Sequence, residues 1–394
     1  MRGMRVGLLG YGKMGRGIFS LLAESPLQAT VFVRDPAKAS DANRKLEKRL
    51  QRAAAGGLFP AEELPQRQAA YRFTSDLQEL APCDLVIESV VEDFDLKVEL
   101  LRRVENVVAP AAFLATNSSS FSPTRLGEQL QRPERFGGFH FFHPIQLTSI
   151  VEIIVGRQTS PETVEVFRQT ARDLRRTPLV VRDHSGSAIN VLLTGLTCEA
   201  LYMLEAGQAT PSKIEEIIGK IARLGPCEAL DTIGLTFYSQ VLERTLAAYP
   251  FRLQFPELLR KLVRDGRDGK YAGKGLFVYR DDRPCDDDPA YYRNPLQTHT
   301  PPHAPNDDES LSERLLLQVY YGILLLTELE IGTLDDFSLG IQDMVGLKAN
   351  PAENMRRMGG ERLRAAFERL AALYGPRFDP APIARTLSAL NAPC

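Results

Sequence analysis

The sequence predicts an α/β unit built around a largely parallel sheet, followed by a part made only of helices. Three observations carry that expectation. In the first half of the chain, short apolar runs suited to buried strands alternate with stretches of helical period. The first such run, RVGLL at 5–9, opens directly into a glycine-rich turn. From residue 187 onward the strand signals stop and helical periodicity alone remains.

RVGLL is the right length for a strand buried on both faces. Gly10, Gly12 and Gly15 follow it as G-x-G-x-x-G. Gly10 permits the tight turn from strand to helix, Gly12 lets the backbone approach a pyrophosphate, and Gly15 allows close packing of the next helix. That helix, expected over 13–24, points its free N–H groups at the phosphates. A second strand is expected at 29–33, ATVFV, with Arg34 and Asp35 at its carboxyl end. Asp35 lies 20 residues past Gly15, where an acid accepts from the adenosine ribose of NAD. Arg34 is the kind of residue that holds the 2′-phosphate of NADP, so NAD is the favoured cofactor and NADP stays open. A bare glycine turn with no ligand is the rival reading, and the order strand, helix, strand, acid argues against it.

The stretch 37–55 reads as a polar helix rich in Lys and Arg. A merely solvated helix and a charged face for a phosphorylated substrate fit it equally. DLVIESVV at 84–91 is a further buried strand ending at Glu92 and Asp93, with a helix expected over 94–107. AFLAT then runs into a serine-rich turn at 117–122. Ligands of an open α/β sheet bind at strand carboxyl ends, which turns Glu92, Asn117 and Ser119 towards the crevice. Helix capping by one of the serines is the plainer alternative.

FGGFHFFHP reads as a strand ending at Pro144, and SIVEIIVG as the next, in which Glu152 is the only charge. A buried lone carboxylate is costly unless paired, and His140 is its natural partner. Such a bond fixes the imidazole tautomer and raises the basicity of the free nitrogen, which makes His140 a general base. A satisfied core histidine remains the alternative for His140, and more so for His143. A metal is not expected: strand alternation parts the two histidines, and no ligand-like H-x-H or H-E-x-x-H spacing is present.

A helix at 162–176 and the run TPLVVRDHSG close the first part. Asn190 then stands near the start of an apolar helix, where a buried amide wants a partner. Amphipathic helices follow, as far as LVRDGRDGKYAGKGLFVY. Residues 280–310 are rich in Asp, Pro and Asn and read as a linker or long loop. The rest is helical and echoes the first helical stretch: an apolar helix ends in an acid, Gly207 or Gly332 follows, then a polar turn and an amphipathic helix. A divergent internal repeat whose copies bury a shared face is expected. The domain boundaries read as 1–184, 185–280, a linker at 281–310, and 311–394.

The chain has 394 residues, 44% hydrophobic and 25% charged, ordinary for a globular protein of two or three domains. A formal net charge of -2 argues against a nucleic-acid partner. Cys83, Cys198, Cys227, Cys285 and Cys394 are scattered with no C-x-x-C, which fits a reducing compartment such as the cytoplasm. The first apolar run enters the glycine motif in place of a cleavage site, and no span of about 20 apolar residues exists, so neither a secretory leader nor a membrane span is expected.

Taken together, GYGKMGRGI, NSSSF, RFGGFHFFHPIQLTSIVEII and DHSGSAINVLL, with YAGKGLFVY at 271–279, resemble the (S)-3-hydroxyacyl-CoA dehydrogenase family in order and over nearly the whole chain. The resemblance implies a Rossmann-type NAD-binding domain followed by a 6-phosphogluconate-dehydrogenase-like helical domain. The helical domain would be duplicated, as in the dehydrogenase part of multifunctional fatty-acid oxidation proteins. It implies interconversion of 3-hydroxyacyl-CoA and 3-oxoacyl-CoA in fatty-acid β-oxidation. In that pattern His140 is the general base, Glu152 orients it, Ser119 bonds the substrate oxygen, and Asn190 holds substrate and developing oxyanion. Gly10, Gly12, Met14, Gly15, Asp35, Glu92, Lys97 and Asn117 form the implied cofactor set.

The chain departs from the pattern in places. His143 replaces an Asn, Val191 an Arg, Ser185 and Ser187 a Pro and a Phe, and IQLTS removes a lysine before the acid strand. These changes leave the acyl group open, with aromatic or dicarboxylic acyl-CoA among the options. An NAD(P)-dependent 3-hydroxy acid dehydrogenase on a non-CoA substrate and a non-catalytic dinucleotide binder are the rival functions. A monomer and a homodimer are both compatible with the repeat.

Overall fold

Eight short runs that are apolar enough to be covered on both faces make one sheet. They are β1 (Arg5–Leu9), β2 (Gln28–Phe32), β3 (Tyr71–Thr74), β4 (Leu85–Glu88), β5 (Phe113–Thr116), β6 (Phe136–Phe141), β7 (Ile150–Val155) and β8 (Thr177–Arg182). The computed structural model describes residues 4–391 apart from 58, 59, 144, 146, 147, 185, 298, 299 and 302, so Pro144, Ser185 and Cys394 lie outside the described residues. The chain divides into two compact units, 1–183 and 184–394.

In the first unit the strand order is 3-2-1-4-5-6-7-8. Neighbours run parallel except β6 and β7, which are antiparallel. The first six strands therefore have the doubly wound dinucleotide-binding order, with its switch point between β1 and β4. Strands buried on both faces explain the near-continuous apolar runs. Leu85 and Ile87 pack into one core with Val6, Leu8 and Val31, while Val86 between them packs into the other with Leu9 and Leu114. The helices of this unit are α1 (Lys13–Ala23), α2 (Pro36–Ala55), α3 (Leu64–Ala70), α4 (Phe94–Glu105), α5 (Pro123–Gly127) and α6 (Pro161–Asp173).

Two differences from expectation have local causes. The strand expected over 84–91 stops at Glu88, because its own carboxylate accepts the Val90 N–H at 2.7 Å and turns the chain out of the ladder. The sequence predicts no strand at β3, whose YRFT is too short to show a period. Asn43 of α2 caps that strand by bonding both the Phe73 carbonyl (2.7 Å) and the Phe73 N–H (2.8 Å), as a neighbouring strand would. The polar helix is otherwise solvated: Ala39 is its one buried residue.

The second unit is helical apart from a hairpin. It comprises α7 (Ala188–Glu205), α8 (Pro211–Gly219), α9 (Pro226–Ile233), α10 (Leu235–Ala248) and α11 (Glu257–Arg264). After β9 (Val278–Arg280) and β10 (Arg283–Cys285) come α12 (Pro289–Tyr292), α13 (Asp308–Glu328), α14 (Leu334–Val345), α15 (Pro351–Met358), α16 (Gly360–Tyr374) and α17 (Ala384–Ala389). Among the described residues α7 alone is long and apolar enough to cross a membrane, and 89% of it is buried inside the protein. The described residues of 281–310, which read as a linker, carry little regular structure but are pinned to the unit. Tyr292 is buried and donates to the Leu276 carbonyl at 2.6 Å, and the Asn294 N–H bonds the Glu205 carbonyl.

The two helical stretches share a construction. α7 and α13 are each followed, after the capping residue, by a left-handed residue: Gly207 (φ 66) and Glu330 (φ 56). Thr210 then caps α8 and Thr333 caps α14, each hydroxyl accepting an N–H three residues on. The structural counterpart of Gly207 is thus Glu330, not Gly332 as the sequence echo suggests. Gly332 is small for another reason: a Cβ there would lie 2.8 Å from the Phe337 ring. α7 and α13 pack closely at two glycines: a Cβ on Gly322 would lie 2.8 Å from the Leu192 carbonyl oxygen, and one on Gly195 3.1 Å from the Gln318 carbonyl oxygen.

Candidate active site

The glycine loop has the geometry its residues imply. Gly10 has φ 96, and a Cβ there would lie 2.6 Å from the Ser89 carbonyl oxygen. A Cβ on Gly15 would lie 2.3 Å from the Gly10 carbonyl oxygen. Gly12 differs: a Cβ would meet nothing within 4 Å. Neither crowding nor φ demands glycine there, so the open space is what a bound group would use. Gly12 is the N-cap of α1 and makes no side-chain cap bond, leaving the first N–H groups of the helix for an anion. Met14 packs against the core beneath the loop.

Asp35 ends the β2 segment as the N-cap of α2, with Oδ1 accepting the Ala37 N–H at 2.9 Å. Its carboxylate is 47% exposed and Oδ2 lies 3.9 Å from the Lys38 ammonium, so one oxygen remains for a ribose hydroxyl. An uncapped helix, an open Gly12 and a half-exposed acid fit a dinucleotide.

His140 and Glu152 are register partners on β6 and β7. The His140 Nδ1–H donates to Glu152 Oε2 at 2.8 Å. Both side chains are buried, and the Phe142 ring stands edge-on to the imidazole with centroids 4.8 Å apart. This bond sets the tautomer and leaves Nε2 to take a proton. His143 lies past the strand end and is exposed. Partial desolvation of its ring, with the Lys13 ammonium nearby, pulls it below its ordinary value.

The loops after β4 and β5 are tied to each other. The Asn117 side-chain Oδ1 accepts the Phe141 N–H at 2.8 Å, joining its loop to the strand that carries His140. Ser118 is buried, donates to Glu92 at 2.5 Å and accepts the Phe121 N–H at 3.0 Å. Ser122 caps α5. The capping and structural roles in the serine run therefore fall to Ser118 and Ser122. Ser119 between them is exposed, and its hydroxyl bonds no group among the described residues. Burial pushes the Glu92 carboxyl up, but the Ser118 hydroxyl, the Lys97 ammonium and the Ser120 N–H outweigh it and hold the group below its ordinary value.

Lys97 is 1% exposed, with its ammonium 2.6 Å from Glu88 and 3.1 Å from Glu92. It is enclosed between acids and does not reach into an open crevice. Sequence reasoning misses Glu88 and Ser118. Glu88 carries the same signal as Glu152, an acid inside an apolar run. Asn190 belongs to the second unit, in the first turn of α7, and is exposed where the sequence predicts a buried amide; its neighbour Val191 is buried. Among the described residues no cluster of His, Cys, Asp and Glu could hold a metal ion.

Comparison with known proteins agrees with this geometry. Residues 5–184 match the 3-hydroxyacyl-CoA dehydrogenase NAD binding domain, and residues 186–279 match the C-terminal domain of the same family. A probable 3-hydroxybutyryl-CoA dehydrogenase of Deinococcus radiodurans is 34% identical over 282 residues, covering 70% of this chain and 100% of the relative. The fatty acid oxidation complex subunit alpha of Vibrio cholerae is 28% identical over 384 residues, 95% of this chain and 53% of the relative, so the chain spans about half that subunit. The crystal structure of a 3-hydroxybutyryl-CoA dehydrogenase from Escherichia coli K12 superposes with TM-score 0.82 at 20% identity, covering 99% of each chain, which shows a shared fold. The chain belongs to the 3-hydroxyacyl-CoA dehydrogenase family and is an NAD-dependent oxidoreductase.

Proposed function

We propose that this chain interconverts (S)-3-hydroxyacyl-CoA and 3-oxoacyl-CoA, with His140 as the group that takes and returns the hydroxyl proton. The observation that carries this is the buried 2.8 Å bond between His140 and Glu152. Glu152 holds the Nδ1–H tautomer and stabilises the imidazolium once Nε2 has taken the proton. The unbonded hydroxyl of Ser119 donates to the substrate oxygen as charge grows there. Asn190 is assigned to substrate holding on the family pattern. When bound, NAD supplies the nicotinamide carbon that accepts or returns the hydride. Gly10, Gly12 and Gly15 and the start of α1 would hold its pyrophosphate, Asp35 would hold its ribose, and Glu92 and Asn117 are assigned to its nicotinamide half on the family pattern.

The Deinococcus radiodurans relative, described as a probable 3-hydroxybutyryl-CoA dehydrogenase, makes a short acyl chain the first substrate to test. The described cysteines are all free and three are buried, which supports a reducing, cytoplasmic setting. The packing of α7 on α13 within one chain supports a monomer, with a homodimer the alternative that sedimentation would reveal.

The deciding experiment is NADH oxidation with acetoacetyl-CoA, repeated with NADPH, for wild type, His140→Ala and Glu152→Gln. Turnover by wild type with NADH, largely lost in both variants, is the expected result. Silence across short, long and aromatic 3-oxoacyl-CoA substrates would sink the substrate class. Turnover untouched by His140→Ala would sink the mechanism alone.

A further inference from the structure

The loop after β4, the helix α4 that follows it and the last residue of β5 converge on one side chain, Glu88, the last residue of β4. It is fully buried. Its Oε1 accepts the Val90 N–H at 2.7 Å and the Lys97 ammonium at 2.6 Å, and its Oε2 accepts the Thr116 hydroxyl at 2.7 Å. Each bond leads to a different part of the cofactor crevice.

The Val90 bond shapes the turn under the glycine loop. A Cβ on Gly10 would lie 2.6 Å from the Ser89 oxygen and 3.2 Å from Val90 Cγ1, so a shift of that turn is felt at the phosphate loop. The Lys97 bond aims the ammonium at Glu92, 3.1 Å away. The Thr116 bond orients a hydroxyl that accepts the Ser118 N–H at 3.1 Å, while Ser118 itself donates to Glu92. The serine turn bearing Ser119 is therefore held from both sides by groups that lead back to Glu88. Enclosing two carboxylates around one ammonium carries a desolvation cost that apolar packing would not incur. Every arm of this arrangement ends on a loop at the strand carboxyl ends, and none ties one helix to another.

We propose that Glu88 is a positioning residue for the dehydrogenase. It touches neither cofactor nor substrate and acts through Val90, Lys97 and Thr116 on the glycine loop, Glu92 and the Ser119 turn. The proposal rests on the dehydrogenase reading only in its turnover arm, because cofactor binding is measured without acyl substrate.

The test is Glu88→Gln in the full chain, which keeps the shape and removes the charge. NADH binding is followed by fluorescence titration, kcat and KM for acetoacetyl-CoA at saturating NADH, and stability by thermal melting. The expected result is an NADH Kd raised about tenfold and a kcat lowered about tenfold, with the acyl-CoA KM within about twofold, the pattern of displaced but intact groups. Thr116→Val cuts one arm and should lower kcat less, leaving the NADH Kd nearer wild type. A Glu88→Gln protein that melts lower yet binds NADH and turns over like wild type would overturn the proposal, since that is the behaviour of an ordinary core residue. Should Glu88→Gln fail to fold, Thr116→Val decides, and unchanged kcat there overturns it. A wild type that binds NADH but turns over no acyl-CoA would fail the substrate reading and leave the binding arm to judge Glu88.

Discussion

Glu152 in the first unit and Glu199 in the second are both fully buried acids inside apolar runs. Glu152 bonds an imidazole, a group that gives up and regains a proton near neutral pH. Glu199 on α7 bonds the guanidinium groups of Arg314, at 2.8 Å from Nε, and of Arg377, at 2.7 Å from Nε. A guanidinium stays charged at every pH a protein survives. Burial pushes the Glu199 carboxyl up, but Arg377 and Arg314 outweigh it and hold the group below its usual value. The same residue type in the same kind of run thus bonds a group able to exchange a proton in one unit and makes a permanent helix-to-helix tie in the other. The partner's chemistry decides which.

That contrast can be broken experimentally, and the largest effect belongs to the first unit. His140→Gln, whose side-chain amide can still donate to Glu152 but cannot take a proton, should lower kcat by about a thousandfold, within the range for loss of a general base, while NADH binding and melting temperature stay near wild type. Melting far below wild type would instead make the pair structural, like its counterpart. Glu199→Ala should do the reverse. Stranding two buried guanidinium groups should remove about 3–5 kcal/mol in chemical denaturation, with kcat per folded molecule unchanged. A kcat loss in folded Glu199→Ala would erase the distinction between the units.

A smaller effect concerns two other acids of the second unit. Burial pushes Glu205 and Glu215 up to about 7, against an ordinary value of 4.5, although both accept backbone N–H groups, Glu205 from Leu258 and Glu215 from Cys227. Between those values the folded chain keeps protons that the unfolded chain has lost, so their contribution to stability falls as pH rises from about 4.5 to about 7 and is level above. Glu215→Gln, which removes the ionisation, should flatten part of that slope in melting temperature against pH. A slope identical to wild type would show that Glu215 does not titrate there. The smallest effect is expected at Glu330, a non-glycine residue at φ 56 whose contact with Arg385 is exposed. Glu330→Gly should stabilise by about 0.5–1 kcal/mol through relief of the left-handed conformation. A loss of stability would show that the Arg385 contact outweighs the strain.

Much of the site is legible in the sequence because it is local. Gly10, Gly12 and Gly15 answer to turn geometry and close approach within a few residues, and Asp35 answers to a fixed spacing. The pair His140 and Glu152 is legible by elimination, as the polar residues of two adjacent apolar runs. Glu88 has the same signal yet stays hidden, since its partners Lys97 and Thr116 reach it from another helix and another strand. Ser118, Ser119 and Ser122 look alike in sequence, and only the direction of each hydroxyl in the folded turn separates a tie, a free donor and a cap. β3 stays hidden because a four-residue edge strand has no period to read.

Sequence alone sets the class of the protein: a doubly wound sheet with a dinucleotide loop, a helical part with a repeat, and a buried histidine–glutamate pair suited to proton transfer. These follow from periodicity, from glycines with short-range reasons, and from the cost of a lone charge in an apolar run. Only the folded chain selects which acids meet which bases. It closes Lys97 between Glu88 and Glu92, gives Glu199 two arginines from far along the chain, leaves Ser119 unbonded among the described residues, and matches Gly207 with Glu330. The physical reason is that the burial cost of a charge is written in its own segment, whereas the partner that offsets it is chosen by which elements the fold brings within about 3 Å.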